Sequence, residues 1–117
     1  IILYSLDGYD EVSLTAGFKM IMRNTEKIVN PSDLRMRVLK TDQLAAGSSI
    51  EESKQIFLAV LEGKGTLAQN EVVTVNAALG LQCMHPDRSI AECLEQAADS
   101  LKSGKALNVL KKLISLQ

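Results

Sequence analysis

Aromatic residues are nearly missing from this chain, which has two Phe, two Tyr and no Trp in 117 residues. Its core must therefore be aliphatic. Histidine occurs once, as His85 beside Pro86, and a lone imidazole makes neither a metal centre nor a catalytic triad. Cysteine occurs twice, at Cys83 and Cys93, without C-x-x-C spacing, so small buried hydrophobes are expected rather than a disulfide or a zinc pair. An excess charge of either sign is also lacking. Thirteen Lys and Arg face fourteen Asp and Glu, a net charge of -1 with the signs interspersed, which argues against a nucleic-acid partner gripped by its phosphates. No apolar run approaches a membrane span and no signal-peptide pattern opens the chain, so no membrane partner and a soluble, cytoplasmic protein are expected. The length allows one domain, and an apolar share of 46% is ordinary for a globular core.

Against these absences, one stretch concentrates chemistry. Ile1 to Ser5 is a short apolar run without alternation, which predicts a strand buried on both faces. Asp7-Gly8 breaks it, because glycine takes a positive φ and Asp can bond nearby backbone. Asp10 and Glu11 follow at once, past the carboxyl end of the expected strand, where open α/β sheets place their ligands. Two adjacent carboxylates can share an ion only if the backbone leaves the strand there. Their chemistry suits Mg²⁺, which takes oxygen ligands and is commonly held by one or two carboxylates, with water and phosphate completing its shell. On residue types alone, a solvated pair of charges is the commoner reading.

Downstream, Phe18 to Arg23 and Glu26 to Val29 flank Asn24-Thr25 and read as a β-hairpin, closed by Asn30-Pro31. Thr41 and Asp42 are capping candidates for a short helical turn. Arg35 and Arg37 could attract a phosphate, although surface charge is the plainer account. Capping boxes at Ser49/Glu52, Thr66/Gln69 and Ser89/Glu92 open three helices. Gly63, Pro86 and Gly104 end them, and a last amphipathic helix follows. The helix from Leu67 to Met84 is apolar in nearly every direction and is expected to be buried on most sides. Asn76 in its middle then needs a partner, most simply a neighbouring backbone group.

Several of these segments together resemble the anthranilate phosphoribosyltransferase family. Gly8-Tyr9-Asp10-Glu11-Val12-Ser13-Leu14-Thr15 is similar to its G-x-D-E-(I/L/V)-S-x-T segment. Glu52 through Val60-Leu61-Glu62-Gly63 resembles its E-x-A-x-x-x-x-x-V-L-x-G helix. Lys64-Gly65-Thr66 to Val75-Asn76-Ala77-Ala78 resembles its K-G-P-x-R-D-x-V-x-L-N-A-A segment, with Thr66 in place of proline and Gln69-Asn70-Glu71 where Arg-Asp is common. Ser103-Gly104-Lys105-Ala106-Leu107 matches its closing S-G-K-A-L. The pieces keep the family's order over essentially the whole chain.

The resemblance implies a glycosyltransferase of tryptophan biosynthesis that moves the phosphoribosyl group of phosphoribosyl pyrophosphate to anthranilate and releases pyrophosphate. It implies Asp10 and Glu11 as a Mg²⁺ site and a homodimer at full length. The family's glycine-rich diphosphate loop, second metal site and anthranilate contacts have no counterpart here, so no catalytic or further cofactor-binding residue is assigned, and the chain alone is expected to be inactive. Its opening inside an apolar strand is likewise expected of a fragment. The expected fold is α/β: the C-terminal part of a single nucleoside phosphorylase/phosphoribosyltransferase-type catalytic domain. Residues 1–30 would carry one or two strands of a larger, mostly parallel sheet, a hairpin and the metal loop, and residues 31–117 a helical cluster. Two alternatives stand beside it, a pyrimidine nucleoside phosphorylase-related enzyme and a non-catalytic helical interaction module.

Overall fold

A computed structural model describes residues 1–117 as a small sheet followed by helices. Strands β1 (Ile2–Ser5), β2 (Phe18–Met22) and β3 (Thr25–Val29) lie in the order β1-β2-β3, and both pairings are antiparallel. Ser5 faces Phe18 and Ile2 faces Ile21 in one ladder, while Phe18 faces Val29 and Met22 faces Thr25 in the other. The hairpin expected near Asn24 is present, with Arg23 and Asn24 between the paired strands. Phe18, Met20 and Val29 turn to the core, while Lys19 and Glu26 meet in a 2.6 Å ion pair on the partly open face.

Two expectations about β1 are corrected. It pairs with an antiparallel neighbour, and it is not buried on both faces: Ile2 is 65% exposed and Tyr4 62%, whereas Ser5 is 3% exposed. A one-faced antiparallel sheet alternates inside and outside residues. Four strand residues, with apolar Ile2 and Tyr4 facing out and polar Ser5 facing in, could not reveal that alternation.

After two single-turn 3-10 segments, Pro31–Leu34 and Thr41–Leu44, come helices α1 (Ile50–Leu61), α2 (Leu67–Met84), α3 (Ile90–Lys102) and α4 (Lys105–Ser115). The capping boxes at Thr66/Gln69 and Ser89/Glu92 form as expected, each side chain satisfying the other's backbone N–H. At α1 only half forms. The Ser49 hydroxyl accepts from Glu52 N–H, but the Glu52 carboxylate reaches one residue further back, accepting from the Ser48 N–H and hydroxyl. Those two bonds hold its pKa below the usual carboxylate value.

The principal core joins Val12, Leu14, Phe18, Met20 and Val29 to Leu34, Leu39, Ala68, Val75 and Leu79. It is aliphatic apart from Phe18. Helix α2 is the element between this core and α3, whose Cys93 and Ala97 pack on Ala78. Its burial is less complete than its composition suggested: Val73, Ala77, Gly80 and Met84 form an open stripe along one side. Sheet, loops and α3 cover the remainder, and nothing in the chain closes over that stripe. Cys93 is buried as expected, but Cys83 is exposed.

Gly65 joins α1 to α2 at close quarters. A Cβ there would lie 2.7 Å from Asn70 Oδ1, 2.8 Å from Val60 Cγ2 and 3.1 Å from Val60 Cα. The Asn70 amide is itself tied to the Gly65 carbonyl, and a backbone Cα cannot swing aside. Gly65→Ala should therefore destabilise the chain by about 1–3 kcal/mol, as overpacking does, read as a lowered urea midpoint with unchanged slope.

Candidate metal site

The acidic pair stands on the connection between β1 and β2, a loop that forms part of the core. Its neck is closed where Leu6 N–H donates to the Gly17 carbonyl at 3.0 Å. Beyond the neck, Gly8 takes φ +87° and turns the chain. Val12 and Leu14 then plug into the core at 1% and 0% exposure, leaving Asp10 and Glu11 outside. Because β1 runs into a hairpin-like return rather than a parallel crossover, the strand-end rule for open α/β sheets does not account for this placement. The switch from an exposed run, residues 6–11, to the buried run Val12, Ser13 and Leu14 does.

Three internal attachments hold the loop. The Asp7 carboxylate accepts from the hydroxyls of Ser5 at 2.7 Å, Ser13 at 3.1 Å and Thr15. Burial pushes its pKa up, but the three hydroxyl bonds and its own backbone outweigh burial, so the pKa lies below 3.8. Leu14 adopts φ +62°, a left-handed conformation that is costly for a side chain with a Cβ, and its carbonyl accepts from Leu39 N–H at 2.9 Å. The Asn76 side chain, from the middle of α2, bonds both the N–H and the carbonyl of Val12. The backbone partner expected for Asn76 is thus found, 64 residues away in sequence.

Asp10 and Glu11 line a single groove of about 360 Å³ with Tyr9, Val12, Ser13, Leu44 and Val72. Neither carboxylate enters an ion pair in the chain. Arg37 is engaged elsewhere, with its Nε 2.9 Å from Glu71 Oε2. Two unpaired oxygen donors on one open groove suit a hard divalent cation whose other positions are filled by water or phosphate. They do not amount to an all-protein cage, since no group of three acidic, His or Cys residues comes together.

Asp7, Leu14 and the reach of Asn76 to Val12 are the parts of this arrangement that sequence reading missed. The one signal was the cluster of hydroxyls at Ser5, Ser13 and Thr15 around a single Asp. It becomes informative only once β1 and β2 are known to pair.

This combination of antiparallel strands, acidic loop and helical cluster matches a known class. Residues 1–107 fit the family model described as glycosyl transferase family, a/b domain, and the chain belongs to that family. Its curated relatives are anthranilate phosphoribosyltransferases. That of Phocaeicola vulgatus is 44% identical over 115 residues, covering 98% of this chain and 35% of the relative. That of Cytophaga hutchinsonii is 41% identical over 113 residues, covering 97% and 34%. The chain thus spans about a third of the length of the relatives it matches. Among solved structures, the anthranilate phosphoribosyltransferase from Saccharomyces cerevisiae in complex with PRPP and Mg superposes with a TM-score of 0.76, at 22% identity, over 93% of this chain and 31% of that one. The same yeast enzyme in complex with 4-fluoroanthranilate gives 0.79 at 20% identity. At those identities the likeness is one of fold. No helix here is long and apolar enough to cross a membrane.

Proposed function

We propose that this chain supplies the Mg²⁺-binding acidic loop of an anthranilate phosphoribosyltransferase, with Asp10 and Glu11 as the ligands. The observation that carries the reading is their shared position on one groove without any competing cation. The names of the relatives supply the reaction: the amine of anthranilate displaces pyrophosphate from the anomeric carbon of phosphoribosyl pyrophosphate. When bound, Mg²⁺ would offset charge on the departing diphosphate. The part played by this chain is to present two carboxylates from a backbone that the core holds in place, and the diphosphate and anthranilate contacts belong to the other two-thirds of the relatives' length. Exposed Ile2 and Tyr4 on β1 also favour a part of a larger enzyme over a self-contained helical module. A homodimeric assembly, as in the family, is part of the same reading.

The test is a chimaera in which these 117 residues replace the segment they match in the Phocaeicola vulgatus enzyme. It should release pyrophosphate from phosphoribosyl pyrophosphate and anthranilate when Mg²⁺ is supplied. Asp10→Asn with Glu11→Gln should lower kcat/KM by about a hundredfold or more, the scale of losing electrostatic stabilisation of a developing charge, and should shift the Mg²⁺ dependence to higher concentration. Unchanged activity and unchanged Mg²⁺ dependence in the double variant would reject the assignment.

A further inference from the structure

We infer that Asn76 is a positioning residue for the acidic pair, setting from within α2 where Asp10 and Glu11 stand and hence how well they hold a divalent cation. The inference rests on the metal reading above and adds a determinant that lies outside the loop.

The geometry makes the side chain a two-point clamp. Asn76 Oδ1 accepts from Val12 N–H at 3.1 Å, and Nδ2 donates to the Val12 carbonyl at 2.8 Å. The second Nδ2 hydrogen goes to the Val72 carbonyl one turn back on α2, at 2.9 Å. Every donor of the amide is thereby used, and its orientation is fixed, because exchanging O and N would set donor against donor at Val12 N–H. The clamp is anchored on a stiff part of α2, between Val75 at 0% exposure and Ala78 at 0%.

What it grips is the peptide next to the ligands. The Val12 N–H belongs to the planar unit that also contains the Glu11 Cα. Holding that N–H orients the bond from which the Glu11 side chain departs, and Asp10 follows one residue earlier. Val12 is itself 1% exposed, so its side chain fixes depth in the core while Asn76 fixes rotation of the loop backbone about its own direction. Partners that orient metal ligands without touching the metal typically change affinity by about 10- to 100-fold.

The test uses Mn²⁺ as probe, titrated into the 117-residue chain while ¹H–¹⁵N spectra are recorded. Paramagnetic broadening should begin at the amides of residues 9–13 and disappear in Asp10→Asn/Glu11→Gln. Asn76→Ala should require about tenfold more Mn²⁺ for the same broadening. Asn76→Ser, whose short hydroxyl can still reach the Val72 carbonyl but not Val12, should do the same, and it serves if the alanine variant fails to fold. Leu101→Ala, a buried truncation at the C-terminal end of α3 with no bond to Val12 or Asn76, should lower stability and leave the Mn²⁺ midpoint unchanged. Broadening that depends on Asp10 and Glu11 but is indifferent to both Asn76 variants would overturn the positioning role and leave the metal reading standing. An equal loss in Leu101→Ala would reduce Asn76 to general stability and overturn it too. Broadening that ignores Asp10→Asn/Glu11→Gln would overturn both readings.

Discussion

Leu14→Ala should cost the fold about 2–5 kcal/mol, the range for truncating a fully buried leucine, measured by urea unfolding. Leu14 is 0% exposed and sits in the same cluster as Val12, Phe18 and Val75. A domain of this size has only roughly 5–15 kcal/mol of stability, so the loss is a large share. The more discriminating comparison is with glycine. At an ordinary buried position glycine is less stable than alanine by about 0.5–1 kcal/mol. At φ +62° the order should close or reverse, because alanine retains a Cβ whose clash in the left-handed region costs roughly 1–2 kcal/mol. Leu14→Gly should therefore be no less stable than Leu14→Ala. A glycine variant clearly worse than alanine would mean that the backbone at position 14 is not held left-handed.

That strained leucine also shows how the loop is built. Val12 and Leu14 both enter the core while the hydroxyls of Ser13 and Thr15 reach Asp7, and the chain passes through a left-handed residue at Leu14 between those two hydroxyls. The cost of the conformation is offset by burial of Leu14 and by the bond its carbonyl receives from Leu39, and the acidic pair is left on a rigid support.

What was legible in the sequence follows from the range of each interaction. The starts of α2 and α3 were readable because a capping box spans three residues and needs no tertiary partner, as at Thr66/Gln69 and Ser89/Glu92. Glu52 illustrates the margin of that reading, since its carboxylate had Ser48 within reach as well as Ser49. The polarity of the sheet was not readable: Ile1 to Ser5 is apolar whichever neighbour it pairs with, and the antiparallel partner lies beyond a loop of twelve residues. The open stripe of α2 was hidden for a similar reason, because Val73, Ala77 and Met84 look like core residues whether or not anything packs on them. At the site, Asp10 and Glu11 could be picked out by residue type and by resemblance. Their supports could not, because each depends on closing a loop: Asp7 to Thr15 across eight residues, and Val12 to Asn76 across 64.

The one of those supports that acid should weaken is Asp7, and its removal should have the second large effect. Ser5 and Ser13 are 3% and 4% exposed, and both donate to this one carboxylate. In Asp7→Ala they lose their acceptor in a place water reaches poorly. The expected loss is about 1–3 kcal/mol, the cost of unsatisfied buried hydroxyls, at the modest end because Asp7 itself faces solvent. Asp7→Asn keeps the shape and one acceptor oxygen but cannot ionise, which isolates the role of charge. Because the folded-state pKa of Asp7 lies below its ordinary 3.8, the native state holds the ionised form to lower pH than the unfolded chain does. The carboxylate's contribution is therefore complete above about 3.8 and drains away as pH falls from there through the lowered folded value. Urea unfolding of the wild-type chain and Asp7→Asn, repeated from pH 6 down to about pH 2, should show a stability gap that is constant in the upper part of the range and narrows below pH 4. A gap that stays constant to the acid end, or widens there, would mean that the three hydroxyls do not favour the ionised carboxylate, and the loop beneath Asp10 and Glu11 would then be held by Leu14 and Asn76 alone.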